Sequence, residues 1–284
     1  MTIRKVAILG VGLIGGSLAA ALKRAGTVAQ VVGYAPADDA QVARALGHVD
    51  TACASVAEAV GGANFVVLAA PVPAIPGLLT ELRPHLDAQA IVTDCASTKR
   101  TVIDAARQTL GDAFIRFVPG HPIAGSERSG PQAANPDLFR DKRWLLCPLD
   151  STPQQHTEAV SRLLEPTGAR IGTLDAQLHD RIFAEVSHWP HAVAFAMAAA
   201  IAGGELSERA IEFSGAGLRD TSRIAASSPA LWADIMLDNR EACLASAARF
   251  RERSEAIIAA LEAGDRDALV EIFGAASRWR SRLA

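Results

Sequence analysis

Ten residues in the middle of the chain, HPIAGSERSG at 121–130, place a histidine and small and charged side chains directly after the apolar run Phe117–Gly120. Imidazole titrates near neutral pH, so histidine is the side chain most often used to accept a proton during a reaction. A surface loop that happens to contain a histidine is the alternative. At the carboxyl end of a buried strand, His121 would face a ligand cleft and could act on a substrate there.

Three further histidines lie between residues 178 and 191: His179, His188 and His191. His188 and His191 could share a helix face, but no Cys or Glu completes a set with zinc-ligand spacing, so we expect no metal site. Pro190 lies between them and should kink this helix. His179 is nine residues before His188, on the opposite face of an ideal helix, and a structural role for His179 stays open.

Two more motifs carry side chains suited to a substrate. Arg219 and Arg223 are four residues apart at a helix start and could hold a carboxylate, because guanidinium offers a planar pair of donors. An ordinary ion pair of Asp220 with Arg223 is the alternative. Ser97 follows a strand and opens a helix, so we expect it to face the cleft at the carboxyl ends of the strands, or to cap that helix, or both.

The segment Gly10–Gly15 fits G-x-G-x-x-G between a strand and a helix. Such glycines permit a tight turn, close approach of the backbone to a pyrophosphate, and close packing of helix on strand. We predict a dinucleotide site there, contacted also by residues at neighbouring strand ends. The predicted cofactor-binding residues are Gly10, Gly12, Leu13, Ile14, Gly15, Tyr34, Ala70 and Pro71.

The second strand should end in an acidic residue that binds the cofactor ribose, about 20 residues after the glycines. Ala35 occupies that position. Without the carboxylate nothing repels a 2′-phosphate, yet no arginine stands beside it, and Arg44 is the nearest downstream. The sequence favours NADP, or use of both cofactors, over strict NAD dependence.

Alternation of apolar runs with helical patterns up to residue 174 predicts a mostly parallel, doubly wound α/β domain of Rossmann type. The predicted strands are Lys5–Gly10, Val31–Tyr34, Phe65–Pro71, Ile91–Ser97, Phe117–Pro119 and Trp144–Pro148. The predicted helices are Ile14–Ala25, Val42–Leu46, Ile75–His85, Thr98–Leu110 and Pro153–Leu164.

From Asp175, a plausible helix N-cap, strand signals disappear and residues 175–284 are predicted to form an all-helical second domain. Its Ala-rich helices suit a bundle or a dimer interface. The predicted helices are Ala176–Ala202, Glu208–Phe213, Leu218–Ala226, Pro229–Leu261 and Arg266–Ala284.

The composition excludes several classes of function. Half of the 284 residues are hydrophobic and the net charge is only -3, which gives no reason to expect binding to nucleic acid or anionic membranes. The sequence shows no signal peptide and no apolar run long enough to span a membrane. The four cysteines are scattered, which is typical of reduced thiols, and we expect a cytoplasmic protein.

Together these motifs resemble one family, the prephenate/arogenate (cyclohexadienyl) dehydrogenases of tyrosine biosynthesis. The matching stretches appear in the family's order from residue 6 to about 240. They are GVGLIGGSLA at 10–19, DCASTK at 94–99, GHPIAGSERSG at 120–130, LHDRIFAEVSHWPHAVAFA at 178–196 and GLRDTSRIA at 217–225.

The resemblance implies roles for individual residues. His121 matches the catalytic histidine, and Ser97 matches a serine that hydrogen-bonds near it and the substrate hydroxyl. Arg223 matches the arginine that binds the ring carboxylate. His191 and His179 match residues lining the substrate pocket, and Glu127 matches an acidic residue at its mouth with a gating role alongside Asp220. Ser126 is predicted to bind the substrate, and substrate preference would be set at the charged residues after it, Glu127 and Arg128. The family also pairs a Rossmann-type domain with a helical dimerisation domain.

The implied reaction is the oxidative decarboxylation of prephenate to 4-hydroxyphenylpyruvate and CO2. Prephenate, or both prephenate and arogenate, is favoured over strict use of arogenate. A lysine-dependent β-hydroxyacid dehydrogenase is excluded because no lysine follows Lys142. A non-catalytic dinucleotide-binding dimer would need none of the residues His121, Ser97 and Arg223.

Overall fold

The chain divides into an α/β half and an all-helical half, which confirms the predicted fold class. This computed structural model describes residues 3–126 and 128–283. The last strand ends at Thr173 and the first helix of the second half begins at Ala176. Asp175 lies between them as the N-cap, and its side chain accepts a hydrogen bond from the Leu178 N–H group.

Six parallel strands form the main sheet in the spatial order β3-β2-β1-β4-β5-β6. The order reverses between β1 and β4, and in open α/β sheets the crevice at such a reversal binds ligands at the carboxyl ends of the strands. The strands are β1 (Ile3–Leu9), β2 (Val28–Tyr34), β3 (Thr51–Ala52), β4 (Phe65–Leu68), β5 (Ile91–Asp94) and β6 (Phe117–Val118).

Helices cover both faces of this sheet, and each face has its own apolar core. Leu79 and Val102 pack in one core, whereas Leu18 and Val160 pack in the other. The short elements β3 and α3 were not predicted, because two and five residues are too few to show a periodicity. The helices are α1 (Leu13–Ala25), α2 (Asp39–Ala45), α3 (Val56–Val60), α4 (Ile75–Leu82), α5 (Arg100–Leu110) and α6 (Gln154–Leu164).

A second, three-stranded sheet carries His121. It consists of β7 (Gly120–Pro122), β8 (Arg143–Leu146) and β9 (Arg170–Thr173) in that order. The chain leaves the main sheet after Val118 and pairs antiparallel with β8, so that His121 lies opposite Leu145. His121 therefore lies inside a short strand, three residues beyond the carboxyl end of β6, rather than directly at a strand end as we predicted.

The helical half differs from prediction in two places that matter for the site. The helix predicted over 176–202 contains a π-helical turn, Ala184–His188, and the helix predicted over 229–261 is broken at Asn239. The helices are α7 (Ala176–Phe183), α8 (Trp189–Ala202), α9 (Ser207–Glu212), α10 (Ala216–Ser222), α11 (Pro229–Asp238), α12 (Arg240–Ala263) and α13 (Arg266–Arg280).

Many large apolar side chains of the helical half are exposed, including Leu206, Ile211 and Phe213, whose exposed fraction is 75%. Exposed apolar surface of this extent is typical of an association surface. No helix in the described parts of the chain combines the length and apolar character needed to cross a membrane.

Gly15 offers a test of how α1 packs on the glycine turn. A Cβ atom there would lie 1.9 Å from the Gly10 carbonyl oxygen, so we expect Gly15→Ala to lower the free energy of unfolding by about 1–3 kcal/mol. Gly77 in α4 is exposed, and a Cβ there meets no atom within 4 Å. Gly77→Ala should stabilise by roughly 0.5–1 kcal/mol. Urea unfolding of both variants gives the comparison, and equal shifts would contradict the packing argument.

Candidate active site

A cleft of about 840 Å³ lies between the two halves of the chain. The α/β half contributes the glycine turn, the ends of β4 and β5, and the segment around His121. The helical half contributes the π-helical turn, α8, α11 and the turn that begins at Arg223. Both halves are therefore needed to build the cleft.

The glycine turn has the features that a dinucleotide pyrophosphate requires. Gly10 adopts φ +100°, and a Cβ there would lie 2.6 Å from the Ala69 carbonyl oxygen. Gly12 caps α1 without any side-chain hydrogen bond, and no acidic residue lies in the first turn. A Cβ at Gly12 would meet no protein atom within 4 Å, and Gly12 lines the cleft. The open space therefore lies over free N–H groups at the positive end of a helix dipole, which fits a bound phosphate.

The predicted cofactor residues occupy different positions around this turn. Leu13, Ile14, Ala70 and Pro71 line the cleft with Gly12. Gly10 and Gly15 shape the turn behind it, and Tyr34 packs against the core at the end of β2. Ala35 follows Tyr34 and is half-buried, whereas Asp38 and Asp39 are exposed at the start of α2.

His121 lines the cleft, and His179 and Phe183 contact its ring. Its Nδ1 lies 2.8 Å from Nε2 of His179, and its ring meets Phe183 edge-on with centroids 4.9 Å apart. Burial lowers the pKa of His121 well below its ordinary value, and His179, Lys99 and His188 lower that pKa further. His121 is therefore a neutral imidazole at physiological pH.

His179 is completely buried and does not line the cleft, although we predicted it as a pocket residue. Its Nδ1 lies 2.8 Å from Oδ1 of Asp180. Burial lowers the pKa of His179, and the hydrogen bond to Asp180 only partly offsets this effect. His179 is thus a neutral link between His121 and a buried carboxylate.

Asp180 connects this histidine pair to the other half of the chain. Its carboxylate accepts the backbone N–H groups of Lys99 (2.8 Å) and Arg100 (3.0 Å), and so caps α5 from the helical half. Ser97 does not cap this helix, because α5 begins two residues later than the Thr98 that we predicted. Burial raises the pKa of Asp180, but the hydrogen bonds from His179 and from these N–H groups bring it below its ordinary value.

A buried ion pair lies behind the strand that carries His121. Lys99 and Asp94 are both fully buried and form an ion pair. Lys99 Nζ also donates to the Gly120 carbonyl oxygen (2.5 Å), and Asp94 accepts the Gly120 N–H group (3.0 Å). The pair therefore binds both the N–H group and the carbonyl oxygen of Gly120, the residue before His121.

His188 and His191 both line the cleft but differ in their hydrogen bonds. The Asn239 amide donates to Nδ1 of His188 (3.2 Å), whereas Nδ1 of His191 donates to the Ser187 carbonyl oxygen (2.8 Å). The His191 ring stacks on Trp232 with centroids 3.4 Å apart. Burial lowers the pKa of His188 to about 4. In the neutral rings, Nε2 of His188 therefore carries a proton and can donate a hydrogen bond. Nε2 of His191 has a lone pair and can accept one.

Not all of the remaining predicted residues reach the cleft. Ser97, Ser126 and Arg223 line the cleft, and Ser97 makes no hydrogen bond to His121. Asp220 is exposed on α10 and does not line the cleft. Glu127, predicted at the pocket mouth, lies outside the described residues. Within residues 3–126 and 128–283, no three His, Cys, Asp or Glu side chains are grouped in a way that could hold a metal ion.

Sequence reasoning assigned no role to five residues that shape the site: Asp94, Lys99, Asp180, Trp232 and Asn239. For the first two a signal existed, because charged residues at the carboxyl end of an apolar strand must be either paired or in a ligand site. Asn239 breaks a helical pattern, but nothing local indicates that its amide reaches Asp180 and His188 across the fold.

The fold and the cleft define a dinucleotide-dependent oxidoreductase. The nucleotide-binding domain of prephenate dehydrogenase matches residues 18–173, and the dimerization domain of the same enzyme matches residues 175–275. The chain belongs to the prephenate dehydrogenase family, and it binds NAD(P) in the α/β half.

Individual relatives are similar to this chain over nearly its whole length. A cyclohexadienyl dehydrogenase from Zymomonas mobilis is 34% identical, over 100% of this chain and 97% of the relative. A prephenate dehydrogenase from Bacillus subtilis is also 34% identical, over 98% of this chain and 76% of the relative. The crystal structure of prephenate dehydrogenase from Aquifex aeolicus, in complex with hydroxyphenyl propionate and NAD+, superposes with a TM-score of 0.91. It is 31% identical and covers 100% of this chain and 99% of that one.

Gly12→Ala tests the pyrophosphate position. The added methyl group points into the open cleft rather than into protein, so we expect the free energy of unfolding to change by less than about 1 kcal/mol. The dissociation constant for NAD(P) should rise at least about tenfold, the equivalent of ~1.4 kcal/mol, in a titration followed by protein fluorescence. Unchanged cofactor affinity would show that the phosphates lie elsewhere.

Proposed function

We propose that the chain catalyses the oxidative decarboxylation of prephenate to 4-hydroxyphenylpyruvate and CO2, with hydride transfer to NAD(P)+. The observation that carries the proposal is the neutral His121, which lines the cleft beside the glycine turn while His179 holds its Nδ1. Family membership and the named relatives support the same reaction.

His121 acts as the base. Its Nε2 accepts the proton of the C4 hydroxyl, and the C4–O bond gains carbonyl character as hydride leaves C4. When bound, the nicotinamide supplies the hydride acceptor. Ser97, which also lines the cleft, hydrogen-bonds the C4 oxygen and keeps it in line with His121.

Arg223 binds the ring carboxylate at C1. A guanidinium holds a carboxylate with two donors and cannot give up a proton, so its part is to orient the ring. The C1–carboxylate bond then breaks to release CO2, and its electron pair completes the aromatic ring. The C4 oxygen takes the proton back from His121 to give the phenol. Arg223 lies at the start of the turn that follows α10, on the helical side of the cleft.

The charge of the cleft favours prephenate. Prephenate carries two carboxylates. Arg128 and Arg223 are the cationic side chains among the described residues that line the cleft, and His188 adds an N–H donor. Among the described lining residues Asp234 is the one carboxylate available to pair with the ammonium group of arogenate. Use of both substrates is the second candidate, since the Zymomonas mobilis relative is named a cyclohexadienyl dehydrogenase.

We further propose that the cofactor is NADP, or either cofactor, and that the active form is a homodimer. Ala35 at the end of β2 presents no carboxylate against a 2′-phosphate. The match of residues 175–275 to a dimerization domain and the exposed apolar side chains of this half support a second copy as the partner. We place the boundary between the two domains at residues 174 and 175.

His121 and Arg223 should separate chemistry from binding. His121→Asn removes the base, so we expect kcat with prephenate to fall ~10²–10⁴-fold while cofactor affinity stays near that of the wild type. Arg223→Gln removes ground-state binding and should mainly raise KM. Absorbance of the reduced nicotinamide gives both parameters, for prephenate and for arogenate. An unchanged kcat in His121→Asn would mean that the base is another residue.

Ala35→Asp should reverse the cofactor preference. A carboxylate at this position repels a 2′-phosphate and can hydrogen-bond a free ribose, so we expect kcat/KM for NADP relative to NAD to fall at least about tenfold. Ala35→Asn is the matched control, because it has the same shape without the charge. Equal effects of the two substitutions would show that size rather than charge decides the preference.

A further inference from the structure

We propose that Asp180 is a positioning residue for the catalytic base: acting through His179, it fixes the position of the proton on the His121 ring. The proposal rests on the proposed function, because it assigns a cause to the readiness of His121 to accept the substrate proton. Asp180 touches neither the cleft nor His121 directly.

The direction of each hydrogen bond between Asp180, His179 and His121 follows from the charge of the buried Asp180 carboxylate. The Asp180 carboxylate is ionised and can only accept, so Nδ1 of His179, 2.8 Å away, must carry the proton. His179 is neutral, and its Nε2 therefore has a lone pair. That lone pair accepts from Nδ1 of His121 at 2.8 Å. The proton of neutral His121 is consequently on Nδ1, and its Nε2 is free to act as the base.

Asp180 is itself held in position by hydrogen bonds that favour its ionised form. Its two oxygens accept the N–H groups of Lys99 and Arg100 at the start of α5. Its main-chain carbonyl oxygen accepts the Asn239 amide at 2.7 Å. The carboxylate thus has a fixed position relative to both halves of the chain.

The same arrangement stabilises the charge that forms during the reaction. When His121 takes the C4 hydroxyl proton it becomes an imidazolium, half-buried and close to the charge of the fully buried Lys99. The other groups that face His121 are Phe183, His179 and His188, and none of them carries a negative charge. Among the described residues, the carboxylates linked to this position are Asp180, through His179, and Asp94, which Lys99 already neutralises.

Asp180→Asn tests the proposal, with Asp175→Asn as the matched control. Asp175 caps the same helix, and Asn is an equally good N-cap, so this control should keep wild-type kcat. In Asp180→Asn we expect kcat to fall ~10²–10⁴-fold, with KM for prephenate and cofactor close to wild type. A kcat in Asp180→Asn that matches the control would overturn the proposal.

The pH profile distinguishes two explanations for a loss of rate in Asp180→Asn: a lost effect of Asp180 on His121, or a site that has opened to water. The rate is present above the pKa of His121 and is lost as the pH falls through it. Removal of the negative charge disfavours the imidazolium, so the acid limb of kcat/KM should move to lower pH in Asp180→Asn. A site that had merely opened to water would move the limb up, towards the ordinary histidine value near 6.5. An upward shift would contradict the proposal.

His179→Gln and His179→Leu give a second, independent comparison. Gln can accept from His121 with its oxygen and donate to Asp180 with its amide nitrogen, whereas Leu can do neither. We expect kcat in His179→Gln to exceed that in His179→Leu by at least about tenfold. Equal losses in the two variants would argue against the relay.

Nitrogen-15 NMR of histidine-labelled wild-type protein tests the proton positions without any variant or turnover. We expect Nδ1 protonated and Nε2 unprotonated in both His121 and His179, and the reverse in His188. Nε2-protonated His121 would overturn the proposal. Failure of the chain to oxidise prephenate, with these proton positions intact, would instead count against the proposed function.

Discussion

A buried carboxylate, Asp180, is the interaction on which the rest of the site depends. Taking an ionised carboxylate out of water costs several kcal/mol unless hydrogen bonds replace the lost hydration. For Asp180, hydrogen bonds from His179 and from the N–H groups at the start of α5 offset this cost. Helix α5 belongs to the other half of the chain. The two halves therefore dock in one orientation, because any other leaves the carboxylate and the helix end unsatisfied. The width and lining of the cleft follow from that orientation.

The pair of Lys99 and Asp94 extends the same constraint into the α/β half. Both side chains are fully buried, and together they fix the N–H and carbonyl groups of Gly120. A buried pair of this kind adds little net stability, but loss of one partner costs about 3–5 kcal/mol. Its value here is positional, since the next residue is His121. The strand that carries the base is thus held through its backbone, and its ring is held through His179.

Local signals were sufficient to predict the sheet, the glycine turn and the helical second half. They also indicated that His121 faces a ligand cleft. Each of these depends on residues close together in sequence. The residues that were missed act over long distances: Asp180 lies about 80 residues from the helix it caps, and Asn239 lies 59 residues from the carbonyl it binds. The strand β9 was missed because RIGT has no apolar run. The π-helical turn was missed, because an ideal helical period was assumed over residues 176–202.

That turn, Ala184–His188, makes one stretch of the chain sensitive to its length rather than to its composition. A π-helical turn is equivalent to one extra residue in an α-helix, and each α-helical residue rotates the chain by about 100°. Deletion of a single residue there would restore an ordinary helix with normal hydrogen bonds. It would also turn His179 and Asp180 away from His188 and Asn239 by that angle. Sequence change in this segment is therefore restricted to substitution, even though it lies in the middle of a helix, where the backbone alone would accept a deletion.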